Sequence, residues 1–487
     1  MKHNAIMLLL VGMMAWLGVV GTAWGQESPR EMLEAGRALY VAGDYAGAEG
    51  KFRVALEAQP RDYIALCLLG AACLQQGKME EAKAALDGCL EIHPDYVPVL
   101  VNLGAWHLKN GNPAQAVEVL ETTVKEGHAS IEAYFDLGSA YLALGQPQKA
   151  MDNFSQAAQL GMKAAELNYA NSLALGALGR LPEALTEAKS ACDAAPGEAR
   201  YWLRLGRLES ESGNVTGAWD ALTKALQLAP GQEAAGIELV RLVEANAAQL
   251  ADRVQELEAL DEANPGSFYL GYAIGALYLG KNDLAKAEVA FQKAVQEVGD
   301  KDQARASARL GLVYLLEENW QSAADALDKS IAADPSVAGV HSNLALALFH
   351  LGQWDRYEAE LKKVLELEPG NVGAIASLGN LYAYRSEWDK AEEQYRLALE
   401  QKGTDADLLG KIGRCQLGKK DWQAAITTLQ QAVQIKADSA QLFFLLGAGY
   451  EGWGEWEKAL DAYKKALEID PNHQGAKERI LALGGGG

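Results

Sequence analysis

Proline and cysteine are scarce in this 487-residue chain, with 13 and 5 copies. Few prolines leave long stretches in which a helix can run on. The cysteines (Cys67, Cys73, Cys89, Cys192 and Cys415) show no Cys-x-x-Cys spacing, so zinc and thioredoxin-like chemistry have no support. Positive charge is short as well: 44 lysines and arginines against 65 acids leave a net charge of −21. Phosphate backbones and anionic lipids would be repelled at long range, so no nucleic-acid partner is expected. The acidity instead keeps a large surface soluble. No Gly-rich phosphate loop, Gly-x-Ser-x-Gly elbow or His-Glu-x-x-His motif occurs. His93, His107, His341 and His473 are scattered and build no metal spacing. No enzymatic activity, cofactor or metal is expected.

The first 25 residues have a character of their own. Lys2 and His3 precede an apolar run from Ala5 to Val20, and the small residues Ala23 and Gly25 flank Trp24. A charged start, an apolar middle and a small-residue end make a secretory leader, cleaved after Gly25. The expected location is outside the cytoplasm, periplasmic or secreted. If the leader is cleaved, no stable membrane insertion follows. The alternative is an inner-membrane anchor formed by uncleaved residues 5–25. No second run of spanning length appears.

What the chain does have is periodicity. Trp320, Trp354, Trp388, Trp422 and Trp456 follow one another at intervals of 34 residues. A fixed period of this length marks stacked pairs of helices, each packing on its neighbours without one large core. Other columns share the period. Gly36, Gly70, Gly104, Gly138, Gly206, Gly379, Gly413 and Gly447 recur on the first helix, and Ala48, Ala82, Ala116, Ala150, Ala184 and Ala218 on the second. Such small residues let two helices approach closely. A second glycine column (Gly43, Gly77, Gly111, Gly145, Gly213) falls where the first helix must stop and a left-handed residue is needed. Pro60, Pro94, Pro196, Pro230, Pro335, Pro369 and Pro471 close many units.

In the fourth unit the pattern reads Tyr134, Leu137, Gly138, Tyr141, Ala150, Phe154 and Ala157. In the last it reads Phe443, Leu446, Gly447, Tyr450, Ala459, Tyr463, Ala466 and Pro471. These residues resemble the tetratricopeptide repeat. The resemblance covers essentially all of the chain after the leader, in about thirteen units starting near residues 29, 63, 97, 131, 165, 199, 233, 268, 304, 338, 372, 406 and 440. It implies an all-α, right-handed superhelical solenoid of helix-turn-helix repeats. The expected organisation is a leader (1–25), a block of six repeats (29–232), a degenerate helical repeat (233–267), a second block of six (268–473), and a capping helix with a glycine tail (474–487). The degenerate unit has Val240 where glycine belongs, and Gly299 to Asp302 reads as a polar turn.

Two structural questions stay open at this level. The tryptophans occupy the first turn of each second helix, where earlier units hold Tyr45, Met79, Pro113, Pro147, Leu181 and Val215. They either wedge at the junction between units or form an exposed stripe for sugar rings or proline-rich peptides. Cys73 and Cys89, on facing helices, either pair or serve as small buried core residues.

For function, the resemblance implies a concave groove lined by first helices that binds extended peptides or helices of other proteins. The lysine, arginine and asparagine set that grips a terminal carboxylate in some family members is missing in its usual order; Asn102 and Asn343 hold one of its positions, far apart. One basic and aromatic cluster is the candidate partner-binding surface: Arg200, Arg204 and Arg207, then Arg241, Tyr269, Tyr272, Arg305 and Arg309. Arginine and tyrosine suit carboxylates and peptide backbones. The competing possibility is that these arginines pair with local acids such as Glu209 and Glu238. The reading is a non-catalytic scaffold or assembly factor of the cell envelope. The alternatives are a carbohydrate-binding accessory in polysaccharide export and a regulatory subunit of an envelope enzyme.

Overall fold

The computed structural model describes residues 28–125, 127, 130–296 and 300–484. The leader, Gly299 and the last three glycines lie outside these residues. Within them every regular element is helical and no strand occurs. The chain divides into two compact bodies, residues 1–235 and 236–487.

Each body is built from consecutive antiparallel helix pairs. Repeat 1 pairs Pro29–Val41 with Tyr45–Ala58, and repeat 13 pairs Ala440–Trp453 with Trp456–Ile469. Several helix starts are fixed by side chains that accept otherwise unpaired N–H groups. Asp44, Asn214, Asn319 and Asp421 cap second helices, accepting from Gly47, Gly217, Ser322 and Ala424. Ser28 and Glu31 form a reciprocal capping box at the first helix.

The inner glycine column makes room for a large side chain of the second helix, sixteen residues on. A Cβ at Gly36, Gly104 or Gly138 would lie 2.5 Å from an atom of Phe52, Leu120 or Phe154, all completely buried. The alanine column from Ala48 to Ala218 is likewise inaccessible to solvent. The turn glycines hold positive φ, from 69° at Gly145 to 85° at Gly43. Later repeats force other residues into that conformation: Asn282, Glu318, Ser386 and Lys420 have φ of 58–63°.

Repeat 7 departs from this plan for a visible reason. Val240 is 1% exposed in the glycine slot. Sixteen residues on stands Glu256, a surface side chain paired with Arg253 at 2.8 Å, so no ring needs the space. The first helix runs long, Glu233–Leu250, and bends where Asn246 adopts φ −135° and ψ 25°. A 3-10 turn, Ala251–Arg253, leads into a short second helix, Val254–Ala263.

One expectation is corrected, and the cysteine alternatives resolve to small buried core residues. The helix of repeat 9 begins at Asp300 and runs to Leu316, so residues 300–302 are helical rather than a turn. Acidic residues at a helix start are favoured by the positive end of its dipole. The cysteines are all free and buried, and Cys89 faces Cys67, not Cys73. Burial pushes the Cys67 thiol up to about 12, which keeps it protonated and inert. The last described element is the helix Gln474–Gly484, whose Ala476 is buried. No described helix is long and apolar enough to cross a membrane.

Candidate binding grooves

In the N-terminal body, Arg200, Arg204 and Arg207 share the helix Ala199–Glu211, but their surroundings differ. Arg200 stays at the surface, pairs with Glu166 at 2.7 Å and lies over the rings of Tyr201 and Tyr169. Arg204 turns inward. Its Nη2 donates to the Ser172 carbonyl at 2.7 Å, across the preceding repeat. It runs over Gly176, where a Cβ would sit 2.2 Å from the guanidinium. Its Nε is buried with no hydrogen-bond partner, and burial pulls its pKa below the usual arginine value. Glu209, the acid expected near these arginines, instead holds Lys189 at 2.8 Å and Asn214 at 2.8 Å.

The C-terminal body gathers three of its five candidates around an acid that the sequence reading missed. Glu244 accepts from Tyr272 Oη at 2.5 Å and from Arg309 Nη2 at 3.0 Å, and it also pairs with Arg305. Arg309 Nε donates to the Tyr272 oxygen at 3.0 Å. Burial would raise the Glu244 pKa, but the hydrogen bonds from Tyr272, Arg309 and Arg305 hold it below the ordinary value. Burial pushes Tyr272 up to about 12. The network ties repeats 7, 8 and 9 together. Arg241 is outside it and pairs with Glu238 at 3.4 Å. Tyr269 packs edge-on against Phe268 and lies over Gly236.

Beside this network opens a cavity of about 420 Å³, between the first helices of repeats 9 and 10. Arg305, Arg309 and Asn343 line it with Val337 and Val340. A second cavity of about 290 Å³ lies between the first helices of repeats 12 and 13, lined by Lys411, Arg414, Gln441, Leu442 and Leu445. Lys411 and Arg414 did not stand out by composition. The available signal was register: Lys411 follows Arg309 by three 34-residue periods.

The tryptophan column is mainly a packing device. Four of the five rings meet the residue thirty positions on, at the end of the next first helix. Trp320 stacks on His350 at 3.8 Å and 6°. Trp354 packs on Tyr384 at 5.3 Å. Trp388 and Trp422 fill the space left by Gly418 and Gly452, where a Cβ would lie 2.6 and 2.5 Å from the ring. These four are half-buried. Trp456 is 57% exposed; its counterpart thirty positions on falls beyond the described residues.

A cluster of Glu49, Cys73 and Glu81 brings three potential metal ligands together. Its carboxylates already have cations, Lys78 at 2.6 Å on Glu49 and Arg53 between Glu49 and Glu81. Hydrogen bonding from Lys78 leads the effects that lower Glu49 to about 2.

Comparison with known proteins places this architecture. Models described as tetratricopeptide repeat match residues 33–97, 169–233, 272–372 and 377–441, with further matches at 74–141, 131–160 and 440–473. The chain belongs to the tetratricopeptide-repeat family. Among curated proteins none matches the sequence. Solved structures similar to it include the APC/C hetero-tetramer Cut9-Hcn1 (15% identity, 93% of this chain and 96% of that one, TM-score 0.36). Another is TTC0263, a thermophilic TPR protein in Thermus thermophilus (24% identity, 37% and 98%, TM-score 0.34). A third is MamA 41-end from Desulfovibrio magneticus RS-1 (18% identity, 36% and 99%, TM-score 0.34). Proteins of this family are in general interaction scaffolds.

Proposed function

We propose that the protein is an exported, non-catalytic scaffold or assembly factor of the cell envelope that holds extended segments of partner proteins against its first helices. The observation that carries this reading is the pair of open cavities between successive first helices, each mixing charged and apolar side chains. Peptide capture needs that combination: apolar contact for affinity, and polar groups that fix register. The leader-like residues 1–25 support export. Arg200 and Arg207 are the surface arginines of the N-terminal cluster and its candidate contacts.

The test is site-specific photo-crosslinking in cells. A crosslinking residue at Asn343 or Gln441, on the first-helix face, is expected to capture a discrete partner. The same residue at Glu393 or Lys464, exposed on second helices, is expected to capture none. Equal capture from both faces would overturn groove binding. A fusion of an export-dependent reporter that stays inactive would overturn the envelope location.

A further inference from the structure

The cavities at repeats 9–10 and 12–13 occupy equivalent places in the repeat, yet their charge is handled differently. In the first, the cation at the equivalent position is Arg309, and the protein supplies its own counter-ion, Glu244, two repeats earlier. In the second, the equivalent cation is Lys411, with Arg414 one turn further along the helix Ala406–Gly418. Neither forms an ion pair with a described residue. Lys411 donates to the Asn380 oxygen at 3.1 Å and lies 5.4 Å from the Tyr395 ring. Asp407, which also lines the cavity, is turned to Lys436 at 3.2 Å. Lys411 still feels the charges of Asp407 and Asp405, but two neighbouring cations outside any ion pair among the described residues stand out in a chain of net charge −21.

We propose that this pocket binds the side-chain carboxylate of an acidic residue in an extended partner segment, through Lys411 and Arg414 rather than through the Arg305 and Arg309 pair that holds Glu244, since Asp407 stands at the position equivalent to Arg305. The inference rests on the groove-binding reading and names the chemistry that one pocket selects. Lysine offers a point charge and arginine a planar fork of donors, which together suit an oxyanion. Leu442 and Leu445 supply the apolar wall for the segment that carries it. Burial, then the charge of Arg414, lowers the pKa of Lys411 against the pull of Asp407 and Asp405; the charge of a bound anion favours the ammonium form. The overall negative charge disfavours acidic peptides in general, so any preference for them must arise locally.

The test is fluorescence anisotropy on the full chain with two labelled peptides, both acetylated and amidated. One alternates alanine with glutamate, and its twin has glutamine for glutamate. The wild type is expected to bind the glutamate peptide about ten-fold more tightly, with the preference falling as salt rises. Lys411→Gln/Arg414→Gln is expected to abolish the preference while leaving the circular dichroism unchanged. If the double variant misfolds, Arg414→Gln alone, at an exposed position, is expected to reduce it. Equal binding of the twins by wild type, or a preference that survives substitution, overturns the proposal. So does a glutamine peptide ending in a free carboxylate that binds as well as the glutamate peptide, because the ligand is then a chain terminus. If the preference is missing while crosslinking at Asn343 still captures a partner, the charge inference fails and the groove reading stands.

Discussion

Ser386 and Lys420 hold φ of 58° and 63° at turns where earlier repeats use glycine. A side chain in the left-handed region costs roughly 1–2 kcal/mol, partly offset because glycine leaves the unfolded chain more freedom. Lys420→Gly is therefore expected to stabilise the protein by about 0.5–1 kcal/mol, read as a raised Tm. The inner glycines carry the opposite constraint. A Cβ at Gly138 would meet Phe154 at 2.5 Å and the Ala150 carbonyl at 3.1 Å. Gly138→Ala is expected to destabilise by about 1–3 kcal/mol in urea titration, since backbone cannot yield as a flexible side chain can. Asp136 is a third case. Burial, then the nearby Glu132, raises its carboxyl to about 7, against the pull of Lys109. An acid with a raised folded-state pKa costs stability as pH rises from its unfolded value towards 7, and the cost disappears near pH 4. Asp136→Asn is expected to stabilise at pH 8 by about 1–2 kcal/mol, less than the full shift because the side chain keeps some contact with water, and to change nothing at pH 4. Thermal melts at the two pH values check this.

Among the elements, the repeat-7 helix Glu233–Leu250 depends most on a single side chain. Glu244 meets two arginines and a tyrosine from the next two repeats. Glu244→Gln removes the charge and leaves two guanidiniums facing each other. A loss of about 1–3 kcal/mol is expected, seen as faster amide exchange along Glu233–Leu250 and Asp300–Leu316. The tryptophans offer a comparison within one column. Trp388 lies against Gly418, whereas Trp456 is mostly in water. Trp388→Ala is expected to cost about 1–3 kcal/mol and Trp456→Ala under about 0.5 kcal/mol, by differential scanning calorimetry. Equal effects would show that exposure does not set the contribution of the column.

Within each body the repeats pack on their neighbours, so stability is a sum of local terms. Denaturation is expected to be broad or stepwise rather than a single two-state transition, with changes confined to the repeats near each substitution. Binding divides in the same way. Arg200→Glu changes a surface arginine of the N-terminal body, and Lys411→Gln/Arg414→Gln changes a cavity of the C-terminal body. Additive losses in partner affinity, measured by titration calorimetry on single and combined variants, are expected if the sites act independently.

The sequence alone determined the repeat, because a 34-residue period in glycine, alanine and tryptophan follows from helix geometry and close approach, both local demands. It also marked repeat 7 as irregular, since Val240 breaks a column that each neighbouring pair of helices needs. It could not sort the arginines. Arg200, Arg204 and Arg309 look alike along the chain, but one is at the surface, one lies half-buried across Gly176, and one is neutralised by Glu244, 65 residues away. Whether Lys411 meets a carboxylate was equally invisible. Ion pairing depends on distances of a few ångströms between residues far apart in sequence, and only the packing of one repeat on the next decides those distances.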